Sequence, residues 1–262
     1  MKNININNDI KIKDKNLNLN NKNFEIKYKN EIELIYYSKY GGFTNVFGIE
    51  FVNVNKNNIK IKVNNSNKEI SLIDKFYLKE GENKIKLLIK NQLTNLSNMF
   101  YNCTSLKNFN ELKFLNTSKV TNFSYLFFGC SSLTEIIPLR FWDVSQGTDF
   151  SFLFTGCSSL INISPLKSWN IKNGINFSYM FCRCLNLIDI SPLKLWKVKK
   201  GKDFSYMFSG CILLSSIQPI VNWNILDGSN FEGMFSQCKS LIDLKDLKEW
   251  QKNNNFIINK AK

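Results

Sequence analysis

Six cysteines recur at a constant interval of 27 residues, and no other feature of the sequence constrains the fold as much. They are Cys103, Cys130, Cys157, Cys184, Cys211 and Cys238. The units that contain them follow one another without a gap over residues 96–122, 123–149, 150–176, 177–203, 204–230 and 231–257. One such unit is too short to bury its apolar side chains alone, so the repetition predicts a solenoid of stacked coils.

The first half of each unit has the pattern of a short capped helix. An Asn or Asp precedes every unit, which is typical of a helix N-cap, at Asn95, Asn122, Asp149, Asn176, Asp203 and Asn230. Phe123, Leu126 and Phe127 then have the i, i+3, i+4 spacing of one helix face. The glycines Gly129, Gly156 and Gly210 stand where a helix ends in a left-handed residue.

The second half of each unit predicts a short strand and a return turn. Leu133, Ile136 and Leu139 form the predicted strand and corner, and a proline column marks the strand's end at Pro138, Pro165, Pro192 and Pro219. Trp142, Trp169, Trp196, Trp223 and Trp250 share one position. A return turn with positive φ is expected at Gly147, Gly174, Gly201 and Gly228. A period of this length with leucines at fixed positions predicts an α+β repeat, a leucine-rich-repeat solenoid of six coils.

The chain before the repeats divides into two predicted parts. Residues 1–23 are rich in Asn and Lys and are expected to be disordered. Residues 24–94 are expected to form an antiparallel β module, either a cap for the solenoid or an independent binding domain. Its predicted strands are 31–37, 59–63, 68–73 and 84–89, with a hairpin loop at 64–67. The solenoid is predicted over 95–257, and a tail over 258–262.

The composition argues against several classes of function. The chain has no histidine, which removes His-based nucleophiles, imidazole general bases and most zinc and iron sites. No P-loop, GxGxxG, EF-hand or CxxC pattern occurs. The net charge of +14 is shared equally between residues 1–95 and 96–262, so no single basic arm exists. We therefore expect no enzyme, no cofactor, no metal and no small-molecule substrate.

The sequence shows no targeting or membrane segment. Residues 1–20 lack the apolar run of a signal peptide, and no stretch reaches 18 consecutive apolar residues. An intracellular location is therefore expected, with reduced thiols and no membrane span.

The repeat resembles a known family. The unit at 176–196 reads NFSYMFCRCLNLIDISPLKLW, whose specific part is S-x-M-F-x-x-C followed by the tryptophan. This cadence resembles the BspA-like leucine-rich-repeat surface proteins, most closely their mycoplasma-type branch, long filed as a domain of unknown function and also found in protists. VFGIEFVNVNKNNIKIKV at 46–63 is similar to the β-rich leader of protist members. The resemblance implies a non-enzymatic scaffold, in many members displayed on the cell surface for adhesion.

The cysteine column allows three interpretations. Stacked strands bring equivalent Cα atoms within disulfide range, but parallel neighbours point their Cβ atoms the same way. A metal needs converging ligands, whereas this column offers a line of single thiols. We favour a buried ladder of small apolar side chains. Cys182 lies outside the column and is expected to be an exposed lone thiol.

Two candidate surfaces emerge. Tyr125, Phe152, Tyr179 and Tyr206 lie off the predicted helix face, and stacked coils would align them as a protein-binding ridge or flat over the seam between helices. One unit concentrates the lysines Lys194, Lys197, Lys199, Lys200 and Lys202, which form a solvated turn or a site for phosphate or an acidic partner.

The sequence therefore predicts a non-catalytic scaffold that binds an unidentified protein. Adhesion at a cell surface is the alternative, and electrostatic nucleic-acid binding is less favoured. The same sequence leaves the partner, the process and the oligomeric state open.

Overall fold

The computed structural model of the protein describes residues 29–225 and 229–241. The tails predicted at 1–23 and 258–262 lie outside these ranges, and the boundary at residue 94 stays a prediction. The strands and the α-helix come in the order β1 (Glu31–Ser38), β2 (Gly42–Asn45), α1 (Ile49–Asn55), β3 (Ile59–Val63), β4 (Ile70–Ser71), β5 (Lys75–Leu78), β6 (Gly81–Ile89) and β7 (Leu106–Asn108).

An antiparallel sheet dominates the part of the chain before the repeats. Five strands pair in the order β4-β3-β6-β1-β7, while β2 and β5 form a separate two-stranded sheet. The alternation in β1 decides its orientation, since Ile32, Leu34 and Tyr36 are fully buried. The predicted hairpin forms, because β3 and β4 pair around the loop at 64–67.

The helix α1 was not predicted. Its sequence, IEFVNVN, is rich in β-branched residues and has the composition of a strand. Packing decides otherwise, because the helix buries Phe51 and Val52 and the Asn55 side chain donates a hydrogen bond to the Phe51 carbonyl (3.1 Å). The purely β interpretation of this module is therefore corrected.

The sheet continues into the first repeat. Strand β7 belongs to residues 96–122 and pairs antiparallel with β1. The Glu111 carboxylate accepts the Glu33 N–H (2.7 Å) and pairs with the Lys29 ammonium (3.1 Å). Burial tends to raise the pKa of Glu111, but these two donors outweigh it, so the pKa is lowered. The module and the first repeat thus share backbone hydrogen bonds and an ion pair.

Successive repeats stack through their backbones. Parallel bridges join the Asx residues that precede the units, at Asn95, Asn122, Asp149, Asn176, Asp203 and Asn230. Alternate residues after each Asx donate to the next coil, as from Phe123 to the Asp149 carbonyl (2.8 Å) and from Tyr125 to the Ser151 carbonyl (2.9 Å). These backbone N–H groups of each coil therefore find their acceptors in the carbonyl groups of the next coil.

The short helix predicted in the first half of each unit is wrong. The structure has consecutive turns there, with i→i−3 bonds such as Phe128 N–H to the Tyr125 carbonyl (3.1 Å). The intervening N–H groups are used between coils, so they are not available for the i→i−4 ladder of an α-helix. The Asx side chains still accept the expected backbone bond, as in Asn122 Oδ1 with Ser124 N–H (2.9 Å).

The predicted strand in the second half is reduced to a minimum. Only β7 in the first repeat and an isolated bridge between Glu135 and Asn162 are extended pairs of this kind among the described residues. The prolines instead begin 3₁₀ helices, since proline lacks an N–H and its fixed φ suits a first helical turn. With the equivalent turn of the first repeat, these helices are Asn110–Phe114, Ile137–Phe141, Ser164–Ser168, Ser191–Leu193 and Gln218–Ile220.

The return-turn glycines serve a different purpose from the one predicted. Positive φ does not occur at Gly147, Gly174 or Gly201, and Gly228 lies outside the described residues. A Cβ at Gly174 would lie 2.2 Å from the Phe177 ring. Glycine is therefore required because the backbone passes directly over a core ring. The left-handed glycines predicted earlier, Gly129, Gly156 and Gly210, do have positive φ.

Two ladders of phenylalanine form the core of the stack. Rings in the first ladder stack with centroids 5.3–5.5 Å apart, at Phe123, Phe150, Phe177, Phe204 and Phe231. Rings in the second are 5.3–5.8 Å apart, at Phe100, Phe127, Phe154, Phe181, Phe208 and Phe235. Each coil thus packs its aromatic side chains on those of the next, which holds the surface positions in register.

Candidate protein-interaction surface

Tyr125, Phe152, Tyr179 and Tyr206 stack on one another and form what we call the aromatic ridge. Adjacent ring centroids lie 4.4, 4.5 and 4.8 Å apart, with planes 6–15° from parallel. All four side chains are half-buried. Since the rings cover each other's faces, the parts left to a partner are ring edges and hydroxyl groups. This geometry suits peptide groups and aliphatic side chains better than sugars or bases, which stack on ring faces.

The ridge residues have an unfavourable backbone conformation. Their φ values lie between 53° and 56°, a left-handed region that costs a residue with a Cβ about 1–2 kcal/mol. The end coils place Asn98 and Gly233 at the same position, and these residue types adopt this conformation readily. Four consecutive coils therefore carry an aromatic side chain where the backbone favours Asn or Gly.

Two further rings extend the ridge toward the first coil. Tyr101 and Phe128 share another column and stack with centroids 4.7 Å apart and planes 6° from parallel. Phe128 also lies 5.7 Å from the Tyr125 ring. Sequence reasoning missed this pair because the column holds Thr155 and Cys182 in the next units. A search for aromatics adjacent to the ridge column would have found it.

The ridge ends at the last coil, where a glycine occupies the equivalent position. In the last coil the equivalent residue is Gly233, and a Cβ there would lie 2.4 Å from the Tyr206 ring. The Tyr206 hydroxyl donates to the Glu232 carboxylate (3.0 Å), which raises the pKa of Tyr206. The last ring is therefore held over the backbone of the final coil.

The cysteine column is buried, and its thiols form hydrogen bonds. All seven cysteines are free. From the second coil onward each thiol donates to a phenylalanine carbonyl of the preceding coil at 3.1–3.2 Å, for Cys130, Cys157, Cys184, Cys211 and Cys238. Cys103 has no preceding coil, and its thiol instead points to the Tyr101 carbonyl (3.7 Å). The cysteines therefore fill small buried spaces in the core, and their thiols also form hydrogen bonds between neighbouring coils.

The prediction that Cys182 is exposed is wrong. The residue is 8% exposed, and burial raises the pKa of its thiol although the neighbouring Arg183 lowers it. Ser209, one coil further on, also hydrogen-bonds to the thiol.

Burial leads to a prediction about thiol reactivity. Burial raises the pKa of every column cysteine, to about 12 at Cys130 and Cys238. Since the thiolate is the reactive form, the folded protein should alkylate very slowly at neutral pH and label fully in denaturant. Mass spectrometry of iodoacetamide-treated protein measures this, and Cys182→Ser should remove the earliest-labelled site. Rapid labelling of Cys157 in the folded protein would contradict the burial of the cysteine column.

The tryptophan column forms a further set of hydrogen bonds between coils, which we call the tryptophan ladder. Each indole N–H donates to a backbone carbonyl of the preceding coil at 2.8–3.0 Å, from Trp142, Trp169, Trp196 and Trp223 to Leu112, Leu139, Leu166 and Leu193. Trp250 lies outside the described residues. These bonds fix the 3₁₀ turns at a constant register along the stack.

The predicted basic patch is solvated. Its lysines Lys194, Lys197, Lys199, Lys200 and Lys202 are all exposed. Lys200 donates to the Asn173 side chain (2.8 Å), and none of the ion pairs between described residues includes a patch lysine.

The described residues hold no group of three or more Cys, Asp or Glu side chains placed to bind a metal ion. Within 29–225 and 229–241, no helix has the length and apolar character that a membrane crossing requires.

Comparison with known families supports the mycoplasma-type part of the resemblance that the repeat suggested. The model of the family described as "Mycoplasma protein of unknown function, DUF285" matches residues 72–189 and 162–261. The chain belongs to this family. The DUF285 match covers all six repeats, from the first at 96–122 to the last at 231–257, in addition to part of the β module. No curated protein and no solved structure matches the chain significantly.

Proposed function

We propose that the protein is a non-catalytic scaffold whose aromatic ridge binds another protein, and that its repeats form a BspA-like leucine-rich-repeat solenoid. Membership of a repeat family supports the first part, since repeat proteins commonly present extended binding surfaces. The 27-residue coils with buried leucines at fixed positions support the second.

The backbone of the ridge is the observation that carries the proposal. A residue held in a costly conformation persists when its side chain is needed there. Stacking offsets some of the cost, because aromatic pairs contribute about 0.5–1.5 kcal/mol. A purely structural stack would be served equally well by buried rings, yet these four rings stay half-exposed. Tyrosine and other aromatics are also enriched at the residues that dominate binding energy in protein interfaces.

The partner we propose lies along the ridge, across several coils. The rings are fixed by the coils beneath them, so binding requires little ordering of the surface. Exposed ring edges and the Tyr125 and Tyr179 hydroxyls offer apolar contacts and hydrogen bonds to an extended segment of protein. The required partner surface is therefore long, narrow and partly apolar.

Asparagine substitutions test the ridge. In the variant Tyr125→Asn, Tyr179→Asn and Tyr206→Asn, the backbone conformation is retained, because Asn98 adopts it in the first coil. We expect near-native circular dichroism and loss of partner capture. The measurement is quantitative mass spectrometry of proteins retained from lysate of the source cells.

The matched control removes three tyrosines from the β module. Tyr37, Tyr40 and Tyr77 are all at least 49% exposed and lie outside the ridge. Their replacement by asparagine should leave capture unchanged. Proteins captured equally by wild type and by both variants would contradict binding through the ridge.

A further inference from the structure

A second column of the repeats is basic. The predicted basic patch did not include this column, because that prediction compared lysines within one unit. Equivalent positions in four consecutive coils carry a cation, at Lys113, Arg140, Lys167 and Lys194. We call these residues the cationic stripe. Lys113, Arg140 and Lys167 lie in 3₁₀ helices and Lys194 directly follows one, whereas the aromatic ridge belongs to the turns after the Asx residue.

The tryptophan ladder fixes the backbone of the stripe. Each stripe residue directly follows the leucine whose carbonyl accepts an indole N–H from the next coil, as Arg140 follows Leu139. The Ser168 hydroxyl also donates to the Arg140 carbonyl (3.0 Å), which joins two neighbouring 3₁₀ helices. With strands of adjacent coils about 4.8 Å apart, the stripe is about 15 Å long.

No described carboxylate neutralises the stripe. Arg140, Lys167 and Lys194 are exposed, Lys113 is half-buried, and none forms an ion pair with a described residue. The carboxylates close to it in sequence have other partners. Glu111 binds Lys29 and the Glu33 N–H, while Asp143 and Asp189 accept the backbone N–H two residues later.

An apolar column runs beside the cations. The residue after each stripe residue is Phe114, Phe141, Ser168 or Leu195. Leu195 is 68% exposed. Cations lie over both rings, Lys29 and Lys113 at 4.2 and 5.0 Å from the Phe114 centroid and Arg140 at 5.3 Å from the Phe141 centroid. Because these faces are occupied, the surface does not offer the free aromatic platforms on which nucleic-acid bases stack.

We infer that the cationic stripe binds an extended acidic segment of a partner protein in which carboxylates alternate with apolar residues. The stripe is linear, which fits an extended chain better than a membrane plane. Same-face side chains of an extended strand are about 6.8 Å apart, so about three carboxylates span the stripe and long Lys and Arg side chains absorb the difference in spacing. Apolar residues of the segment contact Leu195 and the exposed edge of Phe141. This inference is independent of the ridge.

The experiment uses the full chain and a labelled peptide of alternating Glu and Leu, followed by fluorescence polarisation. A peptide with Gln in place of Glu is the ligand control. The test variant is Lys113→Gln, Arg140→Gln, Lys167→Gln and Lys194→Gln. The matched variant removes the same charge from the neighbouring turn, at Lys197, Lys199, Lys200 and Lys202, each replaced by Gln. Circular dichroism verifies that both variants are folded.

We expect the stripe variant to bind the Glu peptide roughly ten-fold more weakly, since about three exposed charge pairs are lost. The matched variant should change by less than about three-fold at about 150 mM salt, where distant charges are screened. The ridge variant should bind the peptide like the wild type. Equal losses in both lysine variants, no binding by the wild type, or stripe-dependent binding that favours a single-stranded oligonucleotide or phosphatidylserine vesicles each overturn the inference.

Discussion

Replacing Phe154 by alanine is expected to lower the free energy of unfolding by about 3–5 kcal/mol, the range for truncating a buried phenylalanine. Phe154 is fully buried and stacks between Phe127 and Phe181, with centroids 5.7 and 5.6 Å apart. Since the cavity would open in the middle of the ladder, the coils on both sides lose a contact. Guanidinium unfolding followed by tryptophan fluorescence measures the change, because tryptophans lie in the adjacent coils.

Phe152 provides the matched control, two residues away in the same coil. It has the same side chain but is half-buried, with one stacking partner on each side. Phe152→Ala should cost about 1–2 kcal/mol, because less apolar area is lost and alanine has the same unfavourable φ. Equal losses for the two variants would mean that the ridge stabilises the stack as much as the second phenylalanine ladder does.

The stack's register was predictable because the period of 27 residues identifies which side chains become neighbours. Phe123, Phe150 and Phe177 have the same position in their units, and they stack in the structure. The burial of the cysteine column was predictable for the same reason. Its hydrogen bonds to preceding carbonyls were not, since nothing within one unit indicates how two coils are displaced relative to each other.

The conformation within a coil was harder to predict. The spacing of Phe123, Leu126 and Phe127 fits an α-helix, but consecutive turns place the same three side chains inward. The two alternatives differ in whether the backbone N–H groups bond within the segment or to the next coil, which depends on tertiary contacts. The left-handed residue was signalled indirectly. Its column contains Asn98 and Gly233, and a comparison of the end units with the middle ones reveals the constraint on Tyr125.

The candidate surfaces also divide into features that position in the unit predicts and features that depend on contacts with the next coil. The aromatic ridge follows from position in the unit, so its residues could be named from the sequence. The burial of Cys182 was not predicted, and nothing in its own unit indicates the hydrogen bond that its thiol forms with Ser209 in the next coil. The cationic stripe was present in the sequence as Lys113, Arg140, Lys167 and Lys194, one residue in each of four units, but the lysines around Lys199 are concentrated within one unit and are the stronger local signal.

Gly48→Ala is expected to loosen the contact between the turn before α1 and the first repeat and to destabilise the protein by about 1–3 kcal/mol, the usual cost of overpacking. The φ and ψ of Gly48 are −74° and 142°, which any residue adopts, so the effect is purely steric. A Cβ there would lie 2.1 Å from the Asn98 carbonyl oxygen and 2.9 Å from the Tyr101 Cβ.

The backbone of the first repeat cannot move away from this clash without breaking other hydrogen bonds. The Asn98 N–H donates to the Ser124 carbonyl (3.0 Å), so moving Asn98 breaks a bond between the first two coils. Moving the module instead lengthens the Gly48 N–H bond to the Met99 carbonyl and pulls Phe47 away from Phe100. An end coil of a solenoid needs a cap, because its apolar face otherwise meets water. The substitution should therefore lower the thermal midpoint and expose the segment around 45–58 to limited proteolysis before global unfolding.

The adjacent residue supplies the control for this prediction. Ile49 is 53% exposed, and Ile49→Ala removes an apolar side chain from the same turn without creating a clash. Its effect should stay within about 0.5 kcal/mol, as for most surface substitutions. If Gly48→Ala unfolds at the same temperature and is cleaved no faster than Ile49→Ala, then the turn at Gly48 does not pack on the first coil in solution. The stack would then need another way to cover Phe100.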